Sequence, residues 1–201
     1  MHELARFVVL VVISLVLGSQ ANARWVDGGD MKVGGKTTGP MDAGQLADLI
    51  DEIGKVDPAL AADMLWASTH GTVGFATLTP GVATLEGVAD HNTVAIVDGL
   101  SDARAAAVLA HEWHHVLYRN GQVSGTTAND RTCDEASGYA AELGMLEKLA
   151  QWYVEEGEKS PVKCADFYAK AKWYSIYASL CELGGGSWEF HDGSIPTGHC
   201  E

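Results

Sequence analysis

The sequence predicts an α+β fold: a small antiparallel or mixed sheet packed on a central helix and followed by a helical hairpin. Three stretches carry this expectation. Residues 71–98 are rich in Val and Thr and broken by turn residues. Residues 101–121 are alanine-rich, with a Ser-Asp start and an Asn-Gly stop. Residues 134–156 and 162–183 show two long helical periodicities, joined by Gly-Glu-Lys-Ser-Pro.

Residues 1–23 place Arg6 before an apolar run from Phe7 to Leu17 and end in Ala21-Asn22-Ala23, the pattern of a secretory signal peptide cleaved near Ala23. The run is about half of the ~20 residues needed to span a bilayer, so no stable membrane anchor is expected. The mature chain is expected to be secreted or periplasmic. Residues 24–40, with Gly28-Gly29 and Gly34-Gly35, read as a flexible or edge-forming lead-in, and residues 41–201 as one domain.

Two short helices come next, over 42–53 and 58–68. Leu46, Leu49, Ile50 and Ile53 mark one apolar face, Leu60, Met64 and Leu65 the other, and Pro58 suits a helix first turn. Three strands are expected in 72–79, 82–86 and 93–98, with Pro80-Gly81 as a turn. Such a sheet would offer an extended peptide an edge to pair with.

The helix over 101–121 carries His111-Glu112-Trp113-His114-His115, that is, His-Glu-x-x-His. Histidines four residues apart lie one turn above the other on one helix face, the separation that two imidazoles need to share a zinc ion. Glu112 sits beside that position, where a carboxylate can take a proton from an attacking water. Ala106, Ala110, Trp113 and Leu117 form a stripe on the other side, so one face is expected in the core and the histidine face toward a cleft. His114 points to the flank and reads as a structural or supporting residue.

Catalytic zinc usually has three protein ligands, so a third is sought downstream. Glu135, Tyr139 and Glu142 share one face of the next helix, with Asp134 turned about 100° away. Glu135 is the leading candidate and Glu142 the next, with Glu142 alternatively steadying a ligand from behind. Asp134, His191 and His199 complete the field. His191 and His199 belong to a glycine-rich tail, 184–201, from which either could reach over the cleft.

Residues 93–150 resemble the gluzincin metallopeptidases, in which one helix carries His-Glu-x-x-His and the next supplies a glutamate. The resemblance implies a zincin-like fold and a Zn2+ cofactor. It would make His111, His115 and Glu135 the metal ligands, Glu112 the general base, and a peptide or protein the substrate. Several gluzincins place an aspartate four residues after the ligand glutamate to orient a histidine; here that position is Tyr139.

Four cysteines, all in the mature part, suit two disulfides in an exported chain. In an antiparallel hairpin Cys133 falls near Cys181 and far from Cys164, which favours Cys133–Cys181 and Cys164–Cys200. A formal net charge of −14 speaks against nucleic acid and anionic membrane surfaces as partners. The remaining readings are a zinc amidase or esterase acting on cell-wall or other non-protein material, and a disulfide-stapled, non-catalytic metal-binding module.

Overall fold

The structure is a computed structural model that describes residues 38–78, 86–90, 92–119 and 131–184. Its elements run β1 (Thr38–Pro40), α1 (Ala43–Gly54), α2 (Pro58–His70), β2 (Gly74–Leu78), β3 (Gly87–Asp90), β4 (Thr93–Val97), α3 (Asp102–Arg119), α4 (Arg131–Glu155) and α5 (Cys164–Leu183). The class is α+β, mostly helical, with a mixed four-stranded sheet ordered β1-β2-β4-β3.

Local chemistry sets the helix ends. Asp42 caps α1, its Oδ1 accepting from the Gly44 N–H at 2.8 Å, and Asp57 caps α2 by accepting from the Leu60 N–H at 3.1 Å. Helix α2 stops at Gly71, whose φ of 64° is left-handed and suits a residue without Cβ. Helix α4 ends in a Schellman arrangement: Gly157 N–H donates to the Val154 carbonyl and Glu158 N–H to that of Tyr153. That reversal sends α5 back along α4.

The hairpin is stapled where the sequence placed the bond. Cys133, in the first turn of α4, joins Cys181, in the last turn of α5, with Cα atoms 4.8 Å apart. Closing a loop of sequence separation 48 restricts the unfolded chain, a stabilisation of about 4 kcal/mol in the chain-entropy model. The other expected bond, Cys164–Cys200, has its Cys200 end outside the described residues.

Strand β4 pairs in parallel with β2 and antiparallel with β3. A strand lies at Gly87–Asp90, just beyond the expected 82–86, of which 82–85 fall outside the described residues; Gly87 lets it approach α3 closely. Strand β1, from the end of the lead-in, pairs antiparallel with β2 at the far edge. Residues 1–37, which contain the expected signal peptide, lie outside the described residues. Among the described residues no helix is long and apolar enough to cross a membrane.

Helix α3 lies between the sheet and α4, and α5 packs on α4. Phe75, Val94 and Ile96 of the sheet join Leu49, Ile53, Met64, Leu109, Trp113, Val116 and Leu149 in one core. Each large apolar side chain buried in this way contributes roughly 1.5–3 kcal/mol. Trp113 stacks on Phe75 with ring centroids 6.0 Å apart. The sequence placed the histidine face of α3 toward a cleft, but His111, Glu112 and His115 are only 6%, 7% and 4% exposed. Alanines at 103, 105, 106, 107 and 110 let neighbouring backbones close on α3 from several sides, and α4 covers its histidine face.

Candidate metal centre

His111 and His115 extend from the same side of α3, their rings 4.8 Å apart and edge to face. Glu135, one turn into α4, brings Oε2 to 3.7 Å from His111 Nε2 and 3.9 Å from His115 Nε2. One donor atom from each residue lies within 4.8 Å of the others, and this trio could hold a metal ion. A tetrahedral ion with bonds of 2.0–2.1 Å needs donors about 3.3 Å apart, so small side-chain movements would complete the shell. Glu135 has the most open side chain of the three, 21% exposed against 7% and 5% for the histidines.

The Nδ1 atom of each histidine meets a carboxylate. Glu142 Oε2 lies 3.1 Å from His111 Nδ1, and Asp134 Oδ1 lies 2.8 Å from His115 Nδ1. In a metal-bound form, which needs neutral imidazoles, these acceptors would hold the proton on Nδ1 and leave Nε2 for the metal. Asp134, read from sequence as turned away from the site, thus serves it from one residue before Glu135. Asp134 and Glu142 thus each hold one of the two imidazoles from behind. Tyr139 itself packs its ring edge-on against His111, centroids 4.6 Å apart, and stacks on Tyr177 of α5 at 5.6 Å.

Glu112 turns to the sheet side of α3. A Cβ added to Gly87 would fall 2.6 Å from Glu112 Oε1 and 2.7 Å from Val108 Cγ1, so the β3 backbone passes directly against this carboxylate. Gly138 has the equivalent place on the α4 side: a Cβ there would lie 2.7 Å from His111 Nε2. These glycines are site residues that sequence reasoning missed, and Asp134, weighed there as a ligand, meets His115 from behind instead. Gly138 left a trace, since glycine within a helix costs about 1 kcal/mol relative to alanine and calls for a reason.

Electrostatics follow from burial and the surrounding carboxylates. Burial disfavours charge on His111, but hydrogen bonds that its ring donates to Glu135 and Glu142, reinforced by the charges of Glu142 and Glu112, raise it to about 9. Burial pushes the Glu112 carboxyl up; His111 and His115 oppose this, and Glu135 and Glu142 add to it. Burial likewise favours a proton on Glu142, yet His111 and Lys170 together hold it below the ordinary carboxylate range. His114 is lowered to about 4 by burial and by His115, so it stays neutral beside the site.

No protein-family model matches this chain, and no curated protein or solved structure is significantly similar to it. The arrangement of side chains is accordingly the basis for a functional reading.

A chain of ion pairs backs the site. Lys170 Nζ of α5 lies 2.7 Å from Glu142 Oε1 and 2.9 Å from Oε2 of Glu86, which precedes β3. Arg104 of α3 pairs with Glu86 and, at 2.8 Å, with Asp166 of α5. His191 and His199 lie outside the described residues.

Proposed function

We propose that the chain is an exported zinc metallopeptidase in which His111, His115 and Glu135 hold the metal and Glu112 is the general base. The observation that carries this reading is the combination of a two-histidine, one-carboxylate donor set with a raised, buried carboxyl on the next residue of the same helix. Two nitrogens and one oxygen form the donor set of many hydrolytic zinc sites, and three protein donors leave a fourth position for water or substrate. A zinc ion held there supplies Lewis acidity toward a water and a substrate carbonyl.

The protein's own residues do the rest. Glu142 and Asp134 hold the two imidazoles with Nε2 available, and Glu112 removes a proton from the attacking water at its carboxylate. Burial keeps that carboxyl basic enough to hold the proton and then give it to the departing amine. The peptide class is supported by the sheet order, which ends in β3, the strand that passes Glu112 at Gly87 and at whose side an extended chain could pair. The buried Cys133–Cys181 bond fits the oxidising compartment that the signal-peptide pattern leads one to expect.

The test is zinc per chain by elemental mass spectrometry on protein made in an oxidising compartment, followed by cleavage assays on a peptide mixture and on wall fragments. About one zinc per chain is expected, with peptides cleaved. Glu112→Gln should keep the zinc and lower hydrolysis by roughly 10²–10⁴-fold. A folded wild type without zinc would sink the reading, as would equal hydrolysis by the variant. Cleavage of wall fragments alone would replace the peptidase with an amidase.

A further inference from the structure

Among the described residues Lys170 is the one lysine drawn into the ion-pair chain behind the site, on a helix that carries none of the proposed metal ligands. Its side chain is 14% exposed, and its ammonium lies between Glu142 on α4 and Glu86 at the entry to β3, 5.8 Å from the centre of the Tyr139 ring. Burying a lysine is costly unless its charge is met, and two carboxylates meet it here. The contact with Glu142 is specific in its geometry. Oε1 is taken by Lys170 at 2.7 Å while Oε2 faces His111 Nδ1 at 3.1 Å, so the carboxylate is gripped at both ends. A carboxylate held at one oxygen only could swivel about its last torsion, which is broad, and the imidazole would turn with it.

We propose that Lys170 is a positioning residue for the metal site: by clamping Glu142 it fixes the ring of His111 so that Nε2 is directed at the position shared with His115 and Glu135. This rests on the zinc reading above and extends it to a third helix. Cys181 anchors the end of that helix to α4, and Lys170 connects its middle to the site. The position of α5 is thereby transmitted to His111 through Glu142.

The experiment compares wild type, Lys170→Met, Lys170→Arg, Glu142→Gln and the double variant Lys170→Met/Glu142→Gln. The readouts are zinc affinity by chelator competition, the cobalt(II) absorption spectrum, and thermal unfolding of the metal-free proteins as a check of fold. Lys170→Met is expected to lose roughly 10–100-fold in zinc affinity and to alter the cobalt bands, the usual size of effect for a residue supporting a ligand. Lys170→Arg, which keeps the cation, should recover most of the loss. The double variant should bind zinc about as weakly as Glu142→Gln alone, because Lys170 acts through Glu142. Should Lys170→Met not fold, Lys170→Gln takes its place with the same expectation.

Unchanged zinc affinity and cobalt bands in the folded Lys170 variants would overturn the assignment while leaving the zinc site standing. Additive losses in the double variant would also overturn it, since they would mean that Lys170 acts by another route. A folded wild type that binds no zinc would overturn the metallopeptidase reading, and this assignment with it.

Discussion

Asp134 and Glu135 are neighbours in sequence yet serve different partners: the carboxylate of Asp134 meets His115 Nδ1 at 2.8 Å, while that of Glu135 faces His115 Nε2 from 3.9 Å. One turn of α4 therefore holds the same imidazole from behind and from in front. Asp134→Asn keeps the volume but replaces one acceptor oxygen with a donor amide. Zinc affinity should fall roughly 10–100-fold with the fold intact, as read by competition titration and circular dichroism. Undiminished affinity would mean that His115 needs no support from Asp134.

Two glycines of α4 separate packing from propensity. Alanine at either position favours the helix by about 1 kcal/mol. At Gly144 an added Cβ meets nothing within 4 Å, so Gly144→Ala should stabilise by about 0.5–1 kcal/mol in urea unfolding and leave zinc affinity alone. At Gly138 the Cβ would lie 2.7 Å from His111 Nε2. Gly138→Ala should weaken zinc binding at least about tenfold, whatever helicity it gains. Equal behaviour of the two variants would contradict the geometry.

On the other side of α3, Gly87→Ala would press on Glu112 and Val108 at 2.6–2.7 Å. Overpacking of this kind costs about 1–3 kcal/mol. Because Glu112 is displaced and the histidines are not, peptide hydrolysis should drop well below wild type while about one zinc per chain remains. Loss of zinc in step with activity would place Gly87 against a ligand instead.

Metal uptake should be coupled to protons. His111 is raised from 6.5 to about 9 in the metal-free fold, so its protonated form stabilises that fold fully below about 6.5, and this contribution disappears as pH rises through about 9. Zinc needs the neutral imidazole, so binding at a pH between those values must expel the proton. Titration calorimetry near pH 7.5 in buffers of different ionisation enthalpy should report release of about one proton, and zinc affinity should weaken as pH falls. Binding without proton release would show that His111 is already neutral.

The parts of this molecule that could be read from sequence are those governed by short-range chemistry. Asp42, Pro58 and the Ser101-Asp102 start of α3 announce helix beginnings within a residue or two, and antiparallel reversal at Gly157 explains why Cys133 meets Cys181. Strand pairing was harder, because parallel β2 and β4 are separated by β3, and nothing local tells β4 which neighbour to choose. The strand at 87–90 is hard to foresee because Gly87 weakens any strand pattern, although it is the residue that fits against Glu112. Burial of the histidine face was equally invisible, since helical periodicity says which residues share a face and not whether a second helix will cover it. Lys170 is 28 residues from Glu142 in sequence and reaches it only through the hairpin, which no spacing rule captures.

The alanines of α3 restrict where this protein can change. Ala103, Ala106, Ala107 and Ala110 are at most 4% exposed, and a larger side chain at any of them would push the helix off the sheet or off α4. Variation among descendants of this chain would therefore spare the middle of α3 and collect in the outer faces of the elements around it, leaving an almost unalterable centre.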